Sequence, residues 1–274
     1  MILIADSGST KTEWGSDGSS LYTSGINPFH QSDDCIRRII VEELLPQLNN
    51  TVSEIHFYGA GCTAETSPRL QAILEQLFHC PTEIQSDMLG AARSLLQHDS
   101  GIACILGTGA NSCYYDGKSI IKNVPPLGYI LGDEGSAAYI GKRLIGDVYK
   151  QQFSLQLCLL FQEETGLTAS EIIERVYRQP MPNRFLGELS QFCQRHLENK
   201  EIHSFLIDCF SQFFQRNILN YSEFIESSSD IKCSFIGSIA WAYEKEIREA
   251  ASQFNINIGT INRSPMNGLK IFHN

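Results

Sequence analysis

Ile2-Leu3-Ile4-Ala5-Asp6-Ser7-Gly8-Ser9-Thr10-Lys11-Thr12 is a short apolar run that ends in an acid and a turn of glycine and hydroxyl residues. A run this short, bounded by a turn, predicts a buried strand. Glu13-Trp14-Gly15 and Leu21-Tyr22-Thr23 follow as two more strands, with Asp17-Gly18 as the hairpin signal between them. The same order returns later in the chain. Ile102–Leu106 is apolar, Gly107-Thr108-Gly109-Ala110-Asn111-Ser112 is the turn, and Cys113–Tyr115 and Ser119–Lys122 flank Asp116-Gly117. Strand, small-residue turn and hairpin, found twice, predict an internal repeat. The fold class is α/β, in two duplicated domains covering 1–106 and 107–274, each sheet starting as an antiparallel meander.

Between the repeats, apolar residues at helical spacing predict helices from Ser32 to Leu48, from Pro68 to Phe78, and from Asp87 onward. Strands are predicted at Ile55–Tyr58 and Glu83–Gln85. The second half turns helical from Asp133 to Phe224. Lys232–Ile236 then reads as a strand ending in Gly237-Ser238. A helix from Ile239 to Phe254, a strand at Asn257–Ile261 and a helical end after Ser264 complete the pattern.

Composition narrows the function. With 42% apolar and 19% charged residues the chain has the makeup of a packed protein. A net charge of −10 argues against nucleic acid or anionic membrane as partner, since both need clustered lysine and arginine. The nine cysteines form no CxxC pair and the seven histidines no HExxH motif, so neither a structural zinc nor a disulfide framework is expected. Reduced thiols point to the cytoplasm. Met1–Asp6 lacks a basic segment before its apolar run, and no run approaches the ~20 residues of a membrane span.

Four places carry chemistry. Asp6 stands at a strand end beside backbone N–H groups and hydroxyls, where a carboxylate holds a cation and the turn cradles phosphate, with Lys11 adding charge. Gly107-Thr108-Gly109 repeats that geometry without a third glycine, so it is no dinucleotide fingerprint. Asp87 follows a strand and opens a helix, which suits either a cap or a general base. Gly128-Tyr129-Ile130-Leu131-Gly132-Asp133-Glu134-Gly135-Ser136-Ala137-Ala138-Tyr139-Ile140-Gly141 places two acids between glycines, with Asp133 as the expected helix N-cap. Asn27, in a Gly-Ile-Asn-Pro loop, either forms a turn or offers its amide to a polar ligand.

Together these residues resemble a known family. Asp6-x-Gly8-x-Thr10-Lys11-Thr12, Gly107-Thr108-Gly109 and Gly237-Ser238 look like the phosphate-1, phosphate-2 and adenosine motifs of the ribonuclease H-like actin/Hsp70/sugar-kinase fold. The Gly-Asp-Glu-Gly-Ser core at 132–136 resembles the N-acetylglucosamine kinases of the BadF/BadG/BcrA/BcrD ATPase family. The resemblance implies an ATP cleft between two duplicated α/β domains, and ATP and Mg²⁺ as cofactors. Asp87 would deprotonate the sugar 6-hydroxyl. Asn27, Gly109, Asn111, Gly128, Asp133 and Ser136 would border an amino sugar. Asp6 would organise Mg²⁺; Gly8, Ser9, Thr10, Lys11 and Thr12, with Gly107 and Thr108, would line the phosphates. Gly237 and Ser238 would border the adenosine. A cytoplasmic homodimer is implied as well. The chain departs from the family pattern at Ser7, Ser9 and Ser238, where glycine is usual. Glu134 is given no role beyond shaping its turn.

Two other functions fit the same scaffold. One is an ATP-driven activator of a reductase or dehydratase, with a cysteine-held iron–sulfur cluster; Cys104 and Cys113 lie near the second loop, but no closely spaced pair stands out. The other is a regulator that binds ATP or sugar without chemistry.

Overall fold

The computed structural model describes residues 1–8, 10–16, 19–227 and 231–274. The chain divides into two compact units: 1–99 with 116–120 and 264–274, and 100–115 with 121–263. The division falls at Ser100, not before Gly107, because the strand Gly101–Leu106 pairs only within the second sheet.

The first unit holds β1 (Ile2–Ser7), β2 (Lys11–Ser16), β3 (Ser19–Ser24), β4 (Glu54–Gly59) and β5 (Thr82–Ser86), side by side in the order β3-β2-β1-β4-β5. β1, β2 and β3 form the expected antiparallel meander. β4 and β5 join it in parallel, after crossovers through helices. The turn expected at Asp17-Gly18 lies outside the described residues. α1 (Asp33–Arg38) continues as a π-helical stretch through Leu44; α2 (Ser67–Phe78) and α3 (Asp87–Leu96) follow. Ile36, Ile40 and Leu44 pack with Trp14, Phe57 and Leu70 in one apolar core. On the other face, Ile4 and Tyr58 pack against Met266 and Leu269 of the C-terminal helix Met266–Phe272.

The second unit repeats the plan. β6 (Gly101–Leu106), β7 (Ala110–Tyr115), β8 (Ile120–Val124), β9 (Cys233–Ile236) and β10 (Ile258–Asn262) lie in the order β10-β9-β6-β7-β8. β6 pairs antiparallel with β7 and parallel with β9, and β9 runs parallel to β10. Read from β8 to β10, this is the order of the first sheet, and it establishes the internal repeat in backbone terms.

Between β8 and β9 stand α4 (Gly128–Leu131), α5 (Ala137–Tyr149), α6 (Leu155–Thr165), α7 (Ala169–Tyr177), α8 (Pro182–Arg195), α9 (Lys200–Arg216) and α10 (Ser222–Ser227). Phe210, Phe213 and Phe214 of α9 are buried beside Phe235 of β9. The helix expected from Ile239 to Phe254 is broken at Tyr243 into α11 (Ser238–Ala242) and α12 (Glu244–Ser252). Tyr243 leaves the helical line to send its hydroxyl to the carbonyl of Ser190, 2.9 Å away. Among the described residues no helix is long and apolar enough to cross a membrane.

Candidate active site

In the first unit the chemistry gathers where parallel strands end. Asp6 on β1 lies level with Tyr58 on β4, which lies level with Gln85 on β5, and Asp87 comes immediately after β5. In α/β sheets this carboxyl end of the strands is where ligands bind. Burial, the charges of Asp87 and then Glu13 push the Asp6 carboxyl up to about 7, while Lys11 pulls it back. The Asp87 charge therefore reaches Asp6. Asp87 is also raised, again by burial, and is opposed by N–H groups that favour its charge. One of these is the N–H of Met88, 2.8 Å from Oδ1. Ser86, not Asp87, caps α3, its hydroxyl accepting the N–H of Leu89 at 3.2 Å. The cap of the helix is thus Ser86, and the Asp87 carboxylate is held at its first turn by the Met88 N–H. Cys62, next to Asp87, is pushed up to about 12, by burial first and by the acid second, and is inert as a nucleophile.

The first turn separates into two roles. The N–H of Gly8 donates to the carbonyl of Lys11 at 3.0 Å and closes the turn. Thr10 and Lys11 are exposed, and the Lys11 ammonium sits 4.9 Å over the Tyr22 ring. Ser9 lies outside the described residues. The Thr12 side chain is engaged within the protein. It is fully buried, its hydroxyl 2.6 Å from that of Ser7. Ser7 donates to the carbonyl of Ile26 at 2.8 Å, and both hydroxyls accept the N–H of Ile26. Of the expected phosphate set, Thr12 uses its hydroxyl to hold β2 to the next loop. Asn27 follows in that loop. Its Oδ1 accepts the N–H of Phe29 at 3.0 Å and lies against Gly61, while its amide Nδ2 donates to no protein group among the described residues.

The second unit builds a matching turn. The N–H of Gly107 bonds the carbonyl of Gly109 at 3.0 Å, and the carbonyls of Gly107 and Thr108 receive the N–H groups of Ala137 and Ala138 at the start of α5. The N–H groups of Thr108 and Gly109 have no protein acceptor among the described residues, and Thr108 is exposed. Two free donors on a glycine turn suit phosphate oxygens. Gly237 adjoins this turn. Its φ is +130°, and a Cβ there would meet the Leu106 carbonyl oxygen at 2.1 Å. Only glycine fits, so the third small-residue strand end is brought against the second. Ser238 opens α11 and is exposed.

Asp133 is not the cap of α5. It has φ +56°, and Ser136 caps the helix by accepting the N–H of Tyr139 at 3.1 Å. The stretch before it, Gly128–Leu131, is a short helix. The Asp133 carboxylate is turned to the second loop: its Oδ2 would lie 3.0 Å from a Cβ on Gly109, and it accepts the N–H of Ala110. Burial raises its pKa, the Ala110 N–H and Lys142 lower it, and Glu134 raises it further. Asn111 on β7 accepts from the N–H of Ser112 and from Asn123 Nδ2, both at 2.9 Å. Gly128 has φ +74° and faces open space.

Glu134 is a residue that pattern reading underrated. It is buried, 3.1 Å from Arg216 Nε. The signal was present in Arg216-Asn217 at the end of a long amphipathic stretch, but nothing local links 134 to 216. Cys104 and Cys233 lie in the sheet with sulfurs 3.4 Å apart. Cys113 on β7 is buried too, and its burial pushes the thiol up to about 12. Among the described residues no group of three or more His, Cys, Asp or Glu is placed to hold a metal.

No family model matches this chain, and neither does any curated protein. Solved structures do. A candidate N-acetylglucosamine kinase of Porphyromonas gingivalis is 44% identical, superposes with a TM-score of 0.93 and is covered over 98% of its length by the whole of this chain. A candidate N-acetylglucosamine kinase of Chromobacterium violaceum, at 16% identity, TM-score 0.73 and coverage of 100% and 98%, shares the fold. So does a ROK family glucokinase of Streptomyces griseus solved with glucose and AMPPNP, at 13% identity, TM-score 0.56 and 97% of both chains. The identity to the first of these over the full chain, with the duplicated sheet order, establishes that this chain belongs to the N-acetylglucosamine kinase-like family of enzymes on the actin/Hsp70/sugar-kinase fold.

Proposed function

We propose that the protein transfers the γ-phosphoryl group of ATP to the 6-hydroxyl of an amino sugar, N-acetylglucosamine first among the acceptors. The observation that carries the reading is Asp87: a carboxylate at the head of α3, which Ser86 caps, itself raised by burial and close enough to Asp6 that its charge raises the Asp6 pKa. Asp87 accepts the proton of the acceptor hydroxyl as the bond to phosphorus forms. Phosphoryl transfer asks little covalent help of a protein, so positioning and charge neutralisation supply the rate.

The remaining residues divide by unit. Asp6, Gly8, Thr10 and Lys11 of the first, and Gly107 and Thr108 of the second, serve the phosphates. Gly237 and Ser238 serve the adenosine. Asn27, Gly109, Asn111, Gly128, Asp133 and Ser136 serve the sugar, the free amide of Asn27 and the carboxylate of Asp133 being its hydrogen-bonding groups. Mg²⁺ takes one or two carboxylates and fills its other positions with water and phosphate oxygens. Asp6 fits that demand, and the ion would neutralise charge on the phosphates when bound. The proposal places the enzyme, as a homodimer of the BadF/BadG/BcrA/BcrD group, in the cytoplasm.

A coupled ADP-release assay over N-acetylglucosamine, glucosamine and N-acetylmuramic acid, with and without Mg²⁺, tests the reading. Sugar-dependent ADP release that needs Mg²⁺ supports it. ADP release indifferent to every sugar would overturn it. Asp87→Asn should keep its melting temperature and lose roughly 10²- to 10⁴-fold in kcat; turnover near the wild-type rate would remove Asp87 from its role.

A further inference from the structure

The turn that carries Asp133 is held from below by a helix no motif points to. Asp133 itself is left-handed at φ +56°, a conformation that persists in a non-glycine residue only when its surroundings over-determine it. The surroundings are the C-terminal end of α9. Gly135, at φ +75°, lies so close that a Cβ would stand 3.1 Å from Phe213 Cβ and 3.4 Å from the Phe210 ring. Glu134 points the other way from Asp133 and meets Arg216 Nε at 3.1 Å and Asn217 Nδ2 at 3.5 Å. The carboxylate is buried while the Arg216 side chain stays largely in solvent, so the pair is anchored from the glutamate side.

The same helix reaches the other half of the sugar-facing wall. It continues as a 3₁₀ turn, Ile218–Tyr221, whose last residue is fully buried. The Tyr221 hydroxyl donates to the carbonyl of Ser112 at 2.8 Å and accepts the N–H of Val124 at 2.9 Å; the Ser112 hydroxyl is 3.0 Å away and supplies a second donor. Ser112 is the neighbour of Asn111. Val124 is the neighbour of Asn123, whose amide bonds Asn111 Oδ1. One phenol therefore fixes both strands that set the Asn111 side chain.

We infer that α9 and its 3₁₀ extension form a platform that presets Asp133 and Asn111 before sugar arrives, with Glu134 and Tyr221 as positioning residues. Neither touches the reacting atoms. Their effect falls first on sugar recognition, because the phosphate turn 107–109 keeps ties of its own to α5 through Ala137 and Ala138. The inference rests on the proposed assignment of Asp133 and Asn111 to the sugar.

Two measurements test it, on the full chain. Hydrogen exchange reads the platform itself: in Glu134→Ala and Tyr221→Phe the amides of 132–136 and 111–112 respectively should lose protection, while those of β9 and β10 keep theirs. Steady-state kinetics reads the consequence. Each variant should raise the KM for N-acetylglucosamine about tenfold, equal to one unit of ~1.4 kcal/mol in affinity, with the KM for ATP within about twofold of wild type. Glu134→Gln, whose one amide oxygen keeps one of the two hydrogen bonds, should recover part of the loss. A KM for ATP that rises in step with that for sugar, or unaltered protection at 132–136 in Glu134→Ala, overturns the inference. If Glu134→Ala does not fold, Glu134→Gln combined with Arg216→Met carries the same test. A wild type that phosphorylates no amino sugar defeats the functional reading instead, and the exchange result still decides whether the platform exists.

Discussion

Ser7 stands where the resembled phosphate-1 motif commonly has glycine, and the structure accounts for its hydroxyl. Its hydroxyl joins Thr12 and the backbone of Ile26, three points that meet only when the β1–β2 turn and the Gly25–Gln31 loop are both in place. A buried hydroxyl with two partners contributes more by its absence than by its presence, since the partners left behind lose their bonds. Ser7→Gly, which restores the commoner residue, should therefore destabilise the protein by roughly 1–3 kcal/mol, read as a lower denaturation midpoint in urea at constant m. An unchanged midpoint would show that the network is dispensable. The acids Asp6 and Asp87 were legible as candidates because each stands at the end of a strand, and Asp133 because it stands between glycines. Their division of labour was not. Whether an aspartate caps a helix depends on its own φ, and Asp133 at +56° and Ser136 at −75° are both residue types that cap.

At the scale of elements, the strands were the most legible part, because both rounds share apolar runs with turn residues at their ends. Parallel partners were legible only in outline, since β9 returns to β6 after a long helical stretch from α4 to α10. Gly237 shows what joins that return. With a φ of +130° and the Leu106 carbonyl against it, Gly237→Ala should cost roughly 2–4 kcal/mol and raise the KM for ATP; a variant melting with wild type would contradict the close approach. The face of β4 carries a second element-scale expectation. His273, beyond the C-terminal helix, stacks on His56 at 3.7 Å and bonds the Tyr58 hydroxyl at 2.8 Å, with Glu83, Glu54 and Arg93 around the pair. Burial, then the charges of His56 and Arg93, lower its pKa to about 4, against Glu83. The folded value lies below the unfolded 6.5, so the neutral form is favoured by folding. The stabilisation is complete above pH 6.5 and is lost as pH falls toward 4. Glu83, held down to about 2, does not change charge until the solution is more acid. Between pH 7 and pH 5 wild type should thus lose about 1 kcal/mol more than His273→Gln, measured as melting temperature; parallel slopes for the two proteins would refute it.

Over the whole molecule, the repeat was legible and the ownership of the last helix was not. Residues 264–274 follow the second unit in sequence and pack with the first. Ser94 Oγ donates to Pro265 at 2.8 Å, and Ser264 Oγ to Glu13 at 3.1 Å, contacts that join positions 171 and 251 residues apart. No local periodicity reports separations of that kind. Met266 and Leu269 are buried on Ile4 and Tyr58, and two such side chains are worth about 3–6 kcal/mol. A chain ending at Arg263 should be cut by protease within residues 1–99 well before 121–263; equal resistance of both regions would show that the helix is ornamental.

The order of synthesis gives that helix a further meaning. The ribosome delivers the strand bearing Asp6 first, yet the piece that covers its outer face arrives after all of β6 to β10. The unit begun earliest is completed last, and its apolar face at Ile4 and Tyr58 waits uncovered through translation of the second unit. A slow codon stretch before residue 264 would lengthen that interval and the exposure of this apolar face to aggregation.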